Sequence, residues 1–248
     1  MHAEEAQKQH YDRLANDYEA HYDDVWSQRY RRRFIDAPLL EGLDLTGRHV
    51  LEAMCGSGQT TASLLSRGGV ITGLDVSEGA IGSFRRRWPQ CASVCASITT
   101  SGLPSGSFDA AVVVAGLHHV QPDVDAAVNE IHRLLKAGGM FCFMEPHRGS
   151  LPDWFRQRWY RHDPLFMPNE AAIDLDHLKE QYADRFEVIR ESYAGNIAFL
   201  LVLNSLVFRL PLRLKRLYSP SLLRLEALIG ALLGRRLACF AICQWRKK

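Results

Sequence analysis

A glycine turn between two apolar runs constrains the fold of this chain more than any other feature. The first run ends with the acid Glu52 and leads into a turn that holds Gly56 and Gly58, and the second run, 70–74, is followed by Asp75. This order is typical of the start of a nucleotide-binding βαβ unit: a strand, a tight turn, the start of a helix, and a second strand that ends in an acid. Glycine lets backbone approach a ligand where a Cβ atom would collide. The sequence therefore predicts an adenosine site whose ribose hydroxyls are bound by Asp75.

The composition fits one sizeable soluble domain. The 248 residues are 47% hydrophobic and 23% charged, with a net charge of +2 that hides an asymmetry. Residues 196–248 hold ten Lys and Arg residues but a single acid, Glu226. The six cysteines form no C-x-x-C pair, and the polar start of the chain is unlike a secretory signal, so we predict reduced thiols in a cytoplasmic protein. The longest apolar run, 197–208, is too short to cross a bilayer as a helix.

Short apolar runs alternate with helical stretches between residues 48 and 146, which indicates a parallel sheet. We predict strands at 48–53, 70–74, 91–95, 109–114, 139–144, 186–192 and 237–245. The helices are predicted at 59–67, 78–87 and 123–136, with helical stretches over 5–36 and 196–235. We expect residues 147–182 to be irregular.

Several further segments follow the glycine turn in a familiar order. Together they resemble the class I S-adenosylmethionine-dependent methyltransferases, in particular the bacterial small-molecule group. The matching segments are Tyr11-Asp12-x-x-Ala15-x-x-Tyr18, Leu51 to Gly58, Gly73-x-Asp75-x-Ser77, Leu103-Pro104 with Gly106-Ser107-Phe108-Asp109, Leu117-His118-His119-Val120, and Glu130-x-x-Arg133-Leu134-Leu135-Lys136-x-Gly138-Gly139.

The resemblance implies an α/β fold: a Rossmann-like, doubly wound sheet of seven strands in the order 3-2-1-4-5-7-6. A single domain would then consist of an N-terminal helical cap (1–45), a core (46–195 and 237–248) and a Leu- and Arg-rich helical insertion (196–236) before the last strand. In the family the last two strands form a hairpin, so this insertion distinguishes the chain.

The resemblance also implies S-adenosylmethionine as the cofactor. The residues expected to bind it are Tyr11 and Tyr18 of the cap, and Glu52, Ala53, Met54, Gly56, Gly58, Asp75, Val76, Ser97, Ile98 and Ala115 of the core. Two positions depart from the family pattern. Met54 stands where the glycine motif has a third glycine, and a left-handed backbone there would strain it by about 1 kcal/mol. Ser97 replaces an aspartate expected to bind the adenine amino group.

NAD is the alternative ligand for an adenosine site of this kind. A dinucleotide fingerprint requires a third glycine three residues after Gly58, and Thr61 stands there. No set of residues suited to hydride transfer follows. The sequence therefore favours S-adenosylmethionine.

A hydroxyl acceptor needs a base near the end of the fourth strand, facing the transferred methyl group. His118 and His119 lie there, and a histidine near pH 7 can accept a proton. Successive side chains point in different directions, so we predict His119 as the base rather than His118. Glu145, after the fifth strand, is predicted to orient a histidine or to act as a base itself. The alternatives are that both histidines are structural, capping the strand end, and that Glu145 is a solvated loop acid.

The acceptor is predicted to be a small molecule, with an oxygen atom preferred and a nitrogen atom as the alternative. The aromatic and basic segment 154–162 suits an acceptor with an apolar body and an anionic group. The insertion 196–236 suits contact with a greasy, anionic partner such as a membrane surface or a lipid-linked sugar, and the alternatives are a lid or a homodimer face. Its arginines alternate with leucines, so no nucleic acid is expected as a partner. A non-catalytic membrane-binding scaffold is the second hypothesis.

Overall fold

One seven-stranded sheet, in the order β3-β2-β1-β4-β5-β7-β6, forms the centre of the fold. The computed structural model describes residues 20–160, 163, 171–230 and 234–248. The first five strands are parallel, and β7 runs antiparallel to both β5 and β6. This is the predicted order. The strands are His49–Ala53 (β1), Val70–Asp75 (β2), Ala92–Cys95 (β3), Phe108–Val114 (β4), Leu135–Glu145 (β5), Phe186–Ala194 (β6) and Phe240–Lys247 (β7).

Helices connect these strands and cover the sheet. They are Val25–Arg31 (α1), Thr61–Leu65 (α2), Glu78–Arg87 (α3), Val124–Leu134 (α4), Leu151–Tyr160 (α5), Leu175–Gln181 (α6) and Leu212–Ile229 (α7). Two segments have π-helical hydrogen bonding, Arg32–Asp36 and Phe199–Leu203, and Leu117–His119 forms a single 3-10 turn. Ala37–Leu39 adds one helical turn after the first π segment.

Side-chain caps explain where two of these helices begin. The Asp24 carboxylate accepts hydrogen bonds from the backbone of Trp26 and Ser27 at the start of α1. The Ser77 hydroxyl accepts one from the backbone of Ala80 at the start of α3. Each cap satisfies N–H groups that a helix leaves without internal partners.

The prediction of irregular structure for 147–182 was wrong for much of the segment, because α5 and α6 lie within it. Pro152 lies in the first turn of α5, where a helix tolerates a residue without an N–H group. The Asp174 side chain caps α6 by accepting a hydrogen bond from the backbone of His177.

Two apolar layers enclose the sheet. The middle of β4 is buried on both faces, as expected for a central parallel strand, because Ala110 to Val113 are at most 2% exposed. α4 contributes Val128 and Ile131 to one layer, and Phe84 of α3 belongs to the other. Because β1, β2 and β4 are parallel neighbours in this buried sheet, their carboxyl ends meet at one edge of it.

The segments before β1 and before β7 lie partly outside the described residues. Of the predicted helical stretch 5–36, residues 20–36 are described. In the insertion the structure describes Phe199–Leu203 and α7, which together confirm a helical segment between β6 and β7. Within the described ranges, every helix is too short or too polar to pass through a bilayer. All six cysteines are described, and all carry free thiols.

Candidate active site at the carboxyl edge of the sheet

The glycine turn after β1 takes up a left-handed backbone at both of its glycines. The φ angle is 54° at Gly56 and 82° at Gly58. Among the described residues, a Cβ atom on Gly56 would meet nothing within 4 Å, so they leave this side of the turn open to a ligand. A Cβ atom on Gly58 would instead lie 2.4 Å from Nε1 of Trp88. That indole nitrogen donates a hydrogen bond to the Gly58 carbonyl at 3.0 Å, so Gly58 is needed for packing under Trp88.

Met54 has the strained backbone that the sequence suggested. Its φ angle is 53°, and Ala115, which follows β4, has a φ angle of 55°. Left-handed conformations are rare for residues with a Cβ atom, and such strain concentrates at ligand sites. The Met54 sulfur occupies the space where Gly116 would carry a Cβ atom, at 2.8 Å. The two strained positions therefore lie in neighbouring turns that touch.

Asp75 ends β2 and holds the glycine turn of the neighbouring strand. Its Oδ2 atom accepts a hydrogen bond from the backbone N–H of Gly56 at 2.9 Å. Its Oδ1 atom accepts one from the backbone N–H of Ser77 at 2.9 Å. Asp75 and Val76 are both half-buried, so they remain accessible at the edge of the sheet. This is the position in which a carboxylate can also accept hydrogen bonds from sugar hydroxyls.

Glu52 points into the protein rather than towards solvent. Its carboxyl accepts hydrogen bonds from the backbone of Thr60 at 3.1 Å and from the hydroxyl of Thr61 at 2.5 Å. Burial raises the pKa of Glu52 to about 7, against the lowering effect of these two donors. The Glu52 side chain thus fixes the start of α2. The sequence had predicted that it contacts the cofactor, together with Ala53, which is buried at the end of β1.

The turn after β3 places its two predicted binding residues differently. The Ser97 hydroxyl accepts a hydrogen bond from the backbone N–H of Thr99 at 3.1 Å and shares another with the Thr99 hydroxyl at 2.8 Å. Ser97 is half-buried, whereas Ile98 is 3% exposed and packs in the core. A ligand at this edge would meet Ser97 and the backbone of Ile98.

The carboxyl of Glu145 holds the turn Leu117–His119, here called the histidine turn. Its Oε1 atom accepts hydrogen bonds from the backbone N–H groups of Gly116 and Leu117, each at 2.7 Å. Its Oε2 atom shares a hydrogen bond of 2.8 Å with Nδ1 of His118. Glu145 is fully buried, and burial raises its pKa to about 7 although these backbone donors lower it. A ligand cannot reach this carboxyl, so its position supports the orienting role and not that of a base.

The two histidine rings differ in exposure. His118 is buried and tied to Glu145, whereas His119 is half-buried and its ring lies on that of His118 with 3.9 Å between centroids. The turn Leu117–His119 places the His119 ring at the carboxyl end of β4, beside the turn that holds Ala115. His119 is therefore the better placed of the pair to meet an acceptor.

The predicted cap residues Tyr11 and Tyr18 lie outside the described residues. The described part of the site brings together the ends of β1, β2, β3 and β4. Sequence reasoning did not foresee that Glu145 holds the turn after β4 through three backbone N–H groups, the third being that of His118 at 3.4 Å. An acid that ends β5, next to β4 in the sheet, was the available signal.

The donors and acceptors present fit an adenosyl ligand. Gly56 offers an open backbone face, Asp75 a carboxylate, Val76 an apolar side chain and Ser97 a hydroxyl. All four lie at the carboxyl ends of adjacent parallel strands, where open α/β sheets bind ligands.

Comparison with known proteins gives consistent matches. Residues 51–143 match a family model described as a methyltransferase domain. An uncharacterised methyltransferase of Synechocystis sp. is 34% identical over 176 residues, which cover 66% of this chain and 78% of that protein. A 2-phytyl-1,4-naphtoquinone methyltransferase of Nostoc punctiforme is 30% identical over 163 residues, with 59% and 68% covered. A fatty-acid O-methyltransferase of Mycolicibacterium smegmatis is 30% identical over 158 residues, with 61% and 57% covered.

Solved structures share the fold over nearly the whole chain. The N-methyltransferase NodS of Bradyrhizobium japonicum, in complex with S-adenosylhomocysteine, superposes with a TM-score of 0.61 at 16% identity and covers 99% of this chain and 98% of that one. A 1,6-didemethyltoxoflavin-N1-methyltransferase of Burkholderia thailandensis has a TM-score of 0.57 at 19% identity, with 99% and 89% covered. At these identities the likeness is one of fold.

Proposed function

This chain belongs to the S-adenosylmethionine-dependent methyltransferases that act on small molecules, and we propose that its acceptor is a hydroxyl group on a lipophilic molecule. The proposal rests on one observation above all. The fully buried Glu145 holds the turn after β4 and fixes the ring of His118, which leaves the half-buried His119 ring at the edge of the site.

We propose that the cofactor lies across the ends of β1 to β4. Asp75 would bind the ribose hydroxyls, Val76 would pack on the adenine, and the open face of Gly56 would accept the methionine portion. Met54 narrows this part of the cleft because its side chain fills space that a glycine would leave open. S-adenosylmethionine supplies a methyl group on a sulfonium, and the acceptor atom takes it by in-line displacement.

The protein's own task is to align the acceptor, exclude water and take up a proton. Alignment alone contributes up to about 7–11 kcal/mol to such reactions. A hydroxyl acceptor releases its proton during the transfer, so a nearby base accelerates the step. We assign this role to His119. His118 and Glu145 are positioning residues, because their hydrogen bond sets the ring on which His119 rests.

One feature favours oxygen over nitrogen as the acceptor atom: the His119 imidazole suits removal of a hydroxyl proton. A lipophilic acceptor is supported by the relatives, which are named for a fatty acid and a phytyl naphthoquinone. Membership of the enzyme family argues against the non-catalytic scaffold.

The test uses methyl-labelled cofactor and pairs of long-chain acceptors that differ only in carrying a phenolic hydroxyl or an amine. We expect labelled methyl on the hydroxyl compounds, identified by mass spectrometry. Replacing His119 by Ala should lower the turnover of hydroxyl acceptors by about 100-fold or more, with cofactor affinity unchanged in isothermal titration.

The matched control is His49→Ala. His49 is an exposed histidine at the amino end of β1, on the opposite edge of the sheet, and its backbone N–H donates a hydrogen bond to the Asp109 carboxylate. This variant should keep full activity. Label found on amines alone would refute the hydroxyl acceptor, and equal turnover in both variants would remove His119 as the base.

A further inference from the structure

The insertion helix α7 buries three polar side chains against the protein and exposes several of its leucines. Lys215, Ser219 and Glu226 are at most 2% exposed, whereas Leu217 and Leu228 are 71% and 73% exposed. A helix on the surface of a soluble protein usually has the opposite arrangement, with its apolar face on the core. Leu222 and Leu223 pack against the core from the flank of α7, but Leu217 and Leu228 point away from it.

Buried hydrogen bonds hold α7 in this orientation. Nζ of Lys215 donates to the His21 carbonyl and to the Ser27 hydroxyl, both at 2.8 Å, and pairs with the Asp24 carboxylate. At the other end of α7, Oε1 of Glu226 accepts a hydrogen bond from the hydroxyl of Tyr30 at 2.8 Å. Such contacts require one rotation of the helix, so the exposure of the leucines is built into the fold.

The exposed leucines form one stripe, and arginines form a second stripe beside it. Positions 214, 217, 221, 225 and 228 follow spacings of three and four, and all but Ser221 are leucines at least 37% exposed. Arg213, Arg216 and Arg224 follow the same spacing one position earlier. Within the described ranges, none of these three arginines pairs with a carboxylate.

A groove of about 490 Å³ extends the positive charge from α7 to the neighbouring helical segment. Its walls are Trp26, Arg29, Arg32 and Arg33 on one side and Pro220, Leu223 and Arg224 on the other, with no acid among them. The Arg29 guanidinium lies 4.7 Å from the centre of the Trp26 ring. Four arginines around an apolar floor suit a lipophilic molecule that carries an anionic group.

A second helix adds exposed aromatic side chains next to the two ends of α7. The Trp159 ring of α5 packs against the ring of Phe208, shortly before α7, with 5.0 Å between centroids. The backbone N–H of Leu151 donates to the Arg236 carbonyl, shortly after α7. Trp154 and Phe155 of α5 are 50% and 58% exposed. Tryptophan at such a surface is typical of proteins that lie at a membrane–water interface.

We propose that α7, with the arginine groove beside it, binds the surface of a lipid bilayer that contains anionic lipids. The leucine stripe enters the boundary between headgroups and acyl chains, and the arginines bind lipid phosphates on either side. Charge favours this partner over a second copy of the chain. In a twofold dimer over this face the same arginines would meet each other, and the one acid of α7, Glu226, is buried and already bonded to Tyr30.

The test measures co-sedimentation of the full chain with vesicles, without cofactor or acceptor, so that its outcome is independent of the methylated substrate. One set of vesicles is phosphatidylcholine alone, and the other also contains phosphatidylglycerol. We expect binding to the second set only, weakened by added salt. Replacing both Leu217 and Leu228 by Ser should reduce this binding at least tenfold, and so should replacing both Arg216 and Arg224 by Gln.

Each double variant has a matched control. Val188→Ser with Ile189→Ser removes two exposed apolar side chains from β6, each 43% exposed, and Arg85→Gln with Arg86→Gln removes two exposed charges from α3. Both controls should bind vesicles like the wild type. The proposal fails if the wild type binds neither set of vesicles, or if the α7 variants bind vesicles as well as their controls do. It also fails in favour of a dimer if the wild type binds no vesicles and sedimentation velocity shows a dimer that the leucine variant does not form.

Discussion

Replacing Ala115 by Gly should make this protein more stable, although the same exchange weakens most strand positions. Ala115 has a φ angle of 55°, and a left-handed backbone costs a residue with a Cβ atom roughly 1–2 kcal/mol. Glycine avoids this energy, but its larger freedom in the unfolded chain opposes the gain by about 0.5–1 kcal/mol. The net expectation is a stabilisation of about 0.5–1 kcal/mol.

The neighbours of Ala115 explain why the strained conformation persists. Its backbone N–H donates to the Met144 carbonyl at 2.7 Å, and the next N–H, of Gly116, donates to the Glu145 carboxyl. These two hydrogen bonds from β5 fix the turn whichever side chain residue 115 carries. Glycine should therefore adopt the same backbone and simply lose the strain.

Urea unfolding followed by circular dichroism measures the effect, with Ala110→Gly as the control. Ala110 lies in β4 and is 2% exposed, so glycine there should lower the free energy of unfolding by about 1 kcal/mol or more. In a chain of this size 1 kcal/mol moves the melting temperature by about 2–4 °C, so the two variants should shift in opposite directions. Equal losses of stability in both would show that the backbone at residue 115 is not left-handed and would refute the account of the turn.

Two further expectations concern buried acids. Burial raises the pKa of Glu52 from 4.5 to about 7, so the stability that its protonated form provides is complete below the lower value and is lost as the pH rises through the higher one. Replacing Glu52 by Gln should therefore stabilise the protein, relative to the wild type, increasingly as the pH rises from about 5 to about 8. The control Glu130→Gln should show no such trend in that range, because hydrogen bonds from Arg133 hold the pKa of Glu130 near 2. Urea titrations at several pH values measure the free energies of unfolding, and parallel pH curves for Glu52→Gln and the wild type would contradict this expectation. Replacing Glu226 by Ala should lower the free energy of unfolding by about 3 kcal/mol, because it leaves the Tyr30 hydroxyl and two backbone N–H groups without their acceptor. A loss of stability no larger than that of Tyr30→Phe alone would contradict the proposed attachment of α7.

The sheet could be predicted from the sequence because its strands carry local signals. β1, β2 and β4 are short apolar runs, and the helices between them end or begin at recognisable residues such as Ser77. Parallel strands joined by helices then leave few topologies. The resemblance selected one order among them, and the structure has that order.

The orientation of α7 could not be predicted in the same way. Its leucines and arginines suggested an amphipathic helix, but a sequence pattern does not say which face turns inward. The decision depends on distant partners, since Lys215 meets Asp24 and Glu226 meets Tyr30. Buried polar contacts between residues about 190 positions apart leave no local signal.

The three acids at the ends of β1, β2 and β5 show how the site is held together. Glu52 and Asp75 were predicted to contact the cofactor, and Glu145 to orient a histidine or to act as a base. In the structure each of them holds a turn: Glu52 the start of α2, Asp75 the turn at Gly56, and Glu145 the histidine turn. Asp75, at the end of β2, binds the turn after the neighbouring strand β1, and Glu145, at the end of β5, binds the turn after the neighbouring strand β4. The strands β1 and β4 are adjacent in the middle of the sheet. The two turns that carry the strained residues Met54 and Ala115 are thus fixed by carboxylates from outside, and a cleft held in this way is formed before any ligand arrives.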